Sequence, residues 1–321
     1  MKKAIFRAAN FFLLLLKIHH PISAFRLSKF KSYQDFNIDF SIKNGNLYFP
    51  EKGLSITPAQ QKSFSHNLFE ICRLARCKYL TSIQTIQNST FVNLNYKGES
   101  IKLNCSNLDN LLIINELFTD EIYEFNLNKS IVCIDIGMNV GYSSILFSMR
   151  NDVEKIYAYE PFKGTYDNAL ANINLNENLK SKIEPINEGW SDKTGDFEFQ
   201  SYEDGSVGAS TSFTADLNPF GKIGNLVKVK LKDASEELKK IKSLHPDKGI
   251  FIKMDCEGSE YEIFEKLNAD HLLHLVDGLL IEWHYKGPSE ITDILEKNNF
   301  SYYSTGRPDS PFIGFIYAFK K

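Results

Sequence analysis

Five short segments constrain this chain most: residues 131–136, 156–159, 250–254 and 279–283, apolar at nearly every position, and 183–186 as a further short strand. Patterns of helical period lie between them, over 140–149 and 166–175. A strand that is apolar at nearly every position must be covered on both faces, which is the situation of a parallel sheet between two layers of helices. The chain from residue 107 onward therefore predicts an α/β domain, entered through a helix over Leu112, Ile113, Leu117 and Tyr123. Residues 301–304 and 312–319 read as a closing hairpin. The stretch 202–225, with four Gly, several Ser and Thr and little periodicity, reads as a long loop over the site.

The first third of the chain has another texture. Residues 36–49 suggest one or two short strands turning at Asn44-Gly45-Asn46. Thr57-Pro58-Ala59-Gln60 predicts a helix start, with Thr57 as cap, Pro58 at the first position and Gln60 reaching back. Phe64, Leu68, Ile71, Cys72, Ala75 and Tyr79 continue it as one apolar face. Two strands flank Lys97-Gly98-Glu99-Ser100 as a hairpin. The expected organisation is thus a basic segment 1–34, a small α+β accessory domain 35–106, and the α/β domain 107–321.

Charge follows the same division. Residues 1–104 carry 15 Lys/Arg against 5 Asp/Glu, a balance of +10, and the remainder carries 22 against 35, a balance of −13. The first 34 residues hold seven basic side chains and no acid. Such a segment is expected to face an anionic surface, either a membrane or the chain's own acidic half. The apolar run Phe11 to Leu16 has six residues, far below the roughly 20 that span a bilayer, so peripheral contact is the membrane alternative. Five Cys without a CxxC pair exclude a disulfide scaffold and give little support to structural zinc. Reduced thiols fit a cytoplasmic location.

The first apolar strand runs into Asp135-Ile136-Gly137-Met138-Asn139-Val140-Gly141 where a helix begins. Ligands of open parallel sheets bind beyond the carboxyl ends of the strands, where strand order reverses. Glycines there let the backbone turn sharply and approach a ligand closely. Glu160 follows Gly141 by 19 residues at the end of the second strand, the place for a carboxylate accepting ribose hydroxyls. An adenosine-containing ligand is expected. A dinucleotide fingerprint would have glycine in place of Asn139, so that a pyrophosphate can lie on bare backbone. Asp135 disfavours a pyrophosphate and suits the ammonium and sulfonium charges of S-adenosylmethionine.

At these residues the sequence resembles the FkbM family of S-adenosylmethionine-dependent methyltransferases. The resemblance runs from about residue 115 to 319. It is carried by Val132 to Tyr142, by Tyr159-Glu160-Pro161-Phe162, by Asn172, by Ile252 to Glu260 and by Ile281-Glu282-Trp283-His284. Met138 departs from the family's usual alanine. The family implies the seven-stranded Rossmann-like methyltransferase fold, with a mostly parallel sheet and an antiparallel closing strand. It also implies methyl transfer to a hydroxyl, often of a sugar, glycan or natural-product scaffold. Asp135, Gly137, Asn139, Gly141, Glu160 and Pro161 are expected to bind cofactor. Glu188 and Trp190 stand where this fold usually meets adenine.

Asp255, Glu257, Glu282 and His284 are the expected catalytic residues. They end two strands and approach one rim of the sheet, and residues two apart on a strand, such as Glu282 and His284, share a face. A hydroxyl needs a group to take its proton as the C–O bond forms. His284 has a suitable intrinsic pKa and a neighbouring carboxylate would orient it, while Asp255 could serve instead or steer the acceptor. Glu257 and Glu260 have a structural alternative as caps of the following helix. These acids and His284 could hold an octahedral ion, although no metal site is expected. Two other functions compete: an NAD-dependent oxidoreductase, which the missing glycine disfavours, and a non-catalytic nucleotide-binding module. A nucleic-acid partner is not expected, because an acidic domain repels phosphate.

Overall fold

The structure, a computed structural model, describes residues 40–202, 223–307 and 310–321. The basic segment 1–34 and nearly all of the loop expected over 202–225 lie outside the described residues.

The chain divides into two compact units at Ile122 rather than at residue 106. The first unit holds two antiparallel three-stranded sheets, β1 (Ser41–Lys43), β2 (Asn46–Phe49) and β3 (Leu54–Ile56), then β4 (Leu80–Ile86), β5 (Ser89–Tyr96) and β6 (Glu99–Asn104). The first hairpin turns at Asn44 and Gly45, both left-handed, and the last at Lys97 and Gly98. Helix α1 (Pro58–Ser63) begins with the anticipated capping box: Thr57 accepts from Gln60 N while the Gln60 side chain accepts from Thr57 N. It does not run on to Tyr79. Ser65 and His66 take left-handed φ of 49° and 53°, and Asn67 caps a new helix, α2 (Leu68–Arg76), by accepting from Glu70 N. The helix expected to open the α/β domain, α3 (Leu108–Ile114) with a wide turn over Asn115–Thr119, packs on α2 instead. Asn115 Nδ2 donates to Glu70 O at 3.0 Å and to Glu70 Oε2 at 2.8 Å, which moves the boundary to Ile122.

The second unit is built on seven strands in the order β9-β8-β7-β13-β14-β16-β15. They are β7 (Ile131–Ile136), β8 (Val153–Tyr159), β9 (Ile183–Ile186), β13 (Gly249–Met254), β14 (Gly278–His284), β15 (Phe300–Arg307) and β16 (Ser310–Lys320). All pairs are parallel except those of β16 with β14 and β15. Helices α4 (Tyr142–Ser148), α5 (Lys163–Asn174), α6 (Ala234–Leu244), α7 (Glu260–Ala269) and α8 (Ser289–Lys297) connect them. A smaller sheet of β10 (Gly189–Ser191), β11 (Gly195–Tyr202) and β12 (Ile223–Asp233) follows β9 and was not expected from the sequence.

β7, β13 and β14 are buried at every position, as their apolar runs require. Ile134 and Ile252 are register partners on adjacent strands and share one core with Leu238, Ile263 and Phe264 of α6 and α7. On the other face Phe251 stacks on Phe125 at 3.7 Å and meets Phe147 of α4. Fully burying one such side chain contributes about 1.5–3 kcal/mol. Strand order reverses between β7 and β13, and the site opens at their carboxyl ends.

Candidate active site

The turn after β7 has three left-handed residues: Gly137 (φ 79°), Asn139 (φ 53°) and Gly141 (φ 85°). Gly137 N and Met138 N both donate to Tyr159 O, at 3.0 and 2.8 Å, so the turn is pinned to the end of β8. Asp255 N donates to Ile136 O at 3.0 Å, pinning the loop after β13 to it as well. A Cβ on Gly137 would lie 1.8 Å from Asp255 O, so the glycine is demanded by the crossing of these two loops. Gly141 precedes α4 against Ala169 of α5, and buried Asn172 donates Nδ2 to Val140 O at 2.9 Å. Gly141 and Asn172 therefore shape the turn from behind.

Asp135 departs from its expected role. It is wholly buried beneath the turn, where Oδ2 accepts from Ser143 Oγ and Ser144 Oγ, each at 2.6 Å. Its Oδ1 lies 3.2 Å from Lys253 Nζ, its register partner across β7 and β13. Lys253, 2 % exposed, also donates to Gly137 O at 2.5 Å and sits 3.6 Å from Asp255 Oδ2. Burial favours a neutral amine, but Asp135 and Asp255 outweigh it and raise the lysine's pKa. Asp135 thus meets an internal cation and does not line the pocket.

That pocket is an open cleft at the carboxyl ends of β7, β8 and β13, with about 620 Å³ of empty space that is continuous with solvent. Gly137, Asn139, Glu160, Pro161, Trp190, Leu231, Asp255 and Glu257 are among its lining residues. Glu160, 5 % exposed, accepts from Asn139 N at 3.1 Å and from Phe162 N at 3.0 Å. Burial outweighs these two amides and pushes its carboxyl up to about 7. Trp190 meets Tyr159 edge-on at 5.5 Å between ring centres. Gly189 lets β10 approach, since a Cβ there would meet Leu231 at 2.7 Å and Pro161 at 3.2 Å. Glu188 is not part of this wall; it stands 3.5 Å from Lys232. The expected cofactor residues Gly137, Asn139, Glu160, Pro161 and Trp190 converge, whereas Asp135, Gly141 and Glu188 stand outside.

The second group gathers at the ends of β13 and β14. Glu257 is left-handed (φ 54°), followed by Gly258 at 111°, and this turn brings its carboxylate to 3.8 Å from His284 Nε2. Asp255, Glu257 and His284 each present a ligating atom within 4.8 Å of the others. His284 is buried, and its Nδ1 lies 3.0 Å from Glu260 Oε1, so Nδ1 carries the hydrogen. Glu260, wholly buried at the first position of α7, also accepts from Cys256 N at 2.7 Å and Gly258 N at 2.8 Å. It braces the turn before α7 rather than capping the helix, whose N-cap Ser259 makes no side-chain bond, while Glu257 faces the imidazole.

Burial favours a neutral imidazole, but Glu260, Glu257 and Asp255 together push His284 up to about 10. Its pKa is therefore raised above that of a free imidazole. Burial likewise pushes Glu257 up to about 7, though 35 % of its side chain stays accessible. Glu282 does not join the group: its Oε1 is 3.9 Å from Arg307 Nε. The carboxylate that orients His284 is Glu260, from the neighbouring helix rather than the same strand. Sequence reasoning assigned no role to Lys253; a lysine inside an otherwise apolar buried strand was the available signal.

The methyltransferase FkbM from Methylobacillus flagellatus KT is 16 % identical over 61 % of this chain and 45 % of its own, with a TM-score of 0.40. The chain thus spans less than half the length of that protein. TYW2 of M. jannaschii, solved in complex with AdoMet, is 16 % identical over 75 % of this chain and 92 % of its own, with a TM-score of 0.35. TrmK of M. capricolum, solved with S-adenosyl-homocysteine, is 15 % identical over 61 % and 64 %, with a TM-score of 0.34. No curated protein matches the sequence. The methyltransferase FkbM domain profile matches residues 135–302, more than half of the 321, and takes in the turn, Glu160 and the whole acid–imidazole group; the chain belongs to the FkbM family of methyltransferases.

Proposed function

We propose that the protein is an S-adenosylmethionine-dependent O-methyltransferase acting on a hydroxyl of a sugar, glycan or natural-product-like acceptor. The observation that carries this reading is that Asp255 and Glu257, with His284 behind them, share a pocket with Glu160 and the β7 turn. The pocket fits the donor in its chemistry. Glu160 offers carboxylate oxygens to ribose hydroxyls, and Pro161, Trp190 and Leu231 form an apolar wall for adenine. Gly137 and Asn139 present backbone to the remainder.

Bound donor would supply an electrophilic methyl group, with the sulfonium sulfur as leaving group, to an acceptor oxygen that gives up its proton. Asp255 and Glu257 line the pocket where that hydroxyl would be held, and one of these carboxylates would take its proton, with the His284 imidazole 3.8 Å from Glu257 to stabilise the charge. Glu260, itself held by the amides of Cys256 and Gly258, fixes the imidazole by accepting from Nδ1. Positioning two reactants in this way supplies much of the rate enhancement of such transfers. Incubating the protein with labelled donor and candidate glycans or lipids, followed by mass spectrometry, tests the reading. His284→Ala should lower turnover by roughly 10²–10⁴-fold with donor affinity unchanged. Parallel loss of donor binding would place His284 in the cofactor site instead.

A further inference from the structure

We propose that Asp255, Glu257 and His284 form a binding site for one divalent cation at the acceptor end of the pocket. Two carboxylates and an imidazole converge there, with all three ligating atoms within 4.8 Å of one another. Bonds of about 2.1 Å to a small divalent ion put neighbouring donor atoms about 3–4 Å apart. Glu257 Oε2 and His284 Nε2 are already 3.8 Å apart, and Asp255 lies within side-chain reach of both.

The surroundings are those of a ligand shell. Metal-bound imidazoles characteristically donate their other nitrogen to a carboxylate, which fixes the ring and directs its free face at the ion. Here Glu260 accepts from His284 Nδ1 at 3.0 Å and is itself held by Cys256 N and Gly258 N, so Nε2 is aimed at Asp255 and Glu257. Three carboxylates, Asp255, Glu257 and Glu260, crowd this corner, and Lys253, the lysine beside Asp255, is shared with Asp135. A cation relieves the excess of negative charge. Two oxygen donors and one nitrogen, with open positions toward the pocket, suit Mn²⁺: carboxylate and water favour the harder ions, while the imidazole favours the borderline ones. Ligation exchanges the Nε2 proton for the metal. The open positions face the place assigned above to the acceptor hydroxyl, and an ion there eases loss of its proton. This consequence rests on the reading of the protein as a hydroxyl-methylating enzyme, whereas the binding site itself does not.

The test is titration of the full chain with Mn²⁺, followed by calorimetry and electron paramagnetic resonance. Wild-type protein should take up one equivalent saturably and show nitrogen coupling from the imidazole. Glu257→Gln and His284→Ala should each weaken uptake at least tenfold, and His284→Ala should remove the nitrogen coupling. Glu282→Gln, next to Arg307, should change neither. Each variant is also titrated with S-adenosylhomocysteine, so that a misfolded protein is recognised and replaced by Asp255→Asn. No saturable uptake by wild type, or uptake unchanged in both Glu257→Gln and His284→Ala, overturns the site. Chelator-resistant methylation of a hydroxyl without Mn²⁺ uptake would overturn the metal and leave the proposed activity standing. Mn²⁺ uptake without any methylated hydroxyl would do the reverse.

Discussion

Lys253 carries the internal electrostatics of the second unit. It neutralises Asp135, approaches Asp255 and holds the carbonyl of Gly137, all from a strand position that is otherwise apolar. A buried ion pair is not in itself a large source of stability, but removing one partner strands the other's charge in a low-dielectric core. Lys253→Met should therefore cost about 3–5 kcal/mol, read from the midpoint of denaturant unfolding. Adding Asp135→Asn should recover part of that loss, because Ser143 and Ser144 can still bond the remaining amide oxygen. A double variant as unstable as the single one would show that Asp135 is not the charge Lys253 serves. Glu160 gives a prediction in pH. Its folded pKa is raised to about 7, so below that pH the free protein holds a proton that ribose hydroxyls must compete with. Donor affinity should fall as pH drops below about 7, approaching tenfold per unit, and Glu160→Gln should flatten the profile. Calorimetric titrations across that range check it.

At the scale of elements, the site is a contact between the loops after β7 and β13. Gly137→Ala would put a Cβ 1.8 Å from the Asp255 carbonyl at a left-handed φ, so the loops must separate. Overpacking of this kind costs about 1–3 kcal/mol, and strained backbone adds about 1–2. A lowered Tm together with lost donor binding is expected. Gly164→Ala in α5, with open space around it, should leave both within error. β7, β8, β13 and β14 were legible because double-sided burial writes itself as runs that are apolar at nearly every position. β10 to β12 were not: β10 has three residues, and β11 and β12 border a stretch rich in Gly, Ser and Thr that reads as loop. The break between α1 and α2 escaped a reading based on period, because Ser65 and His66 interrupt the helix without interrupting its apolar spacing. In the site, motif position located Glu160, Asp255, Glu257 and His284. It could not tell that Asp135 turns inward to Lys253, that Glu188 turns to Lys232, or that Glu260 rather than Glu282 orients the imidazole. Those outcomes depend on cross-strand register and helix placement, which no local pattern encodes.

For the whole molecule, all the site residues lie in the second unit, 123–321, and the family match lies within it. The charge division, +10 before residue 105 and −13 after it, changes sign in the first unit's last stretch. Among the described residues no helix is long and apolar enough to cross a membrane. The expectation of an anionic surface rests on residues 1–34, outside the described structure; binding to anionic but not neutral vesicles, lost in high salt, is what it requires. The central claim is that the pocket between β7 and β13 holds an adenosine-type methyl donor through Glu160. Titration calorimetry of the full chain with S-adenosylhomocysteine and with NAD tests it most directly. The account predicts one site of about micromolar affinity for the former and none comparable for NAD, with Glu160→Ala weakening binding by about 1.5–3 kcal/mol. Comparable NAD binding, no binding of S-adenosylhomocysteine, or an affinity unchanged by Glu160→Ala would contradict it.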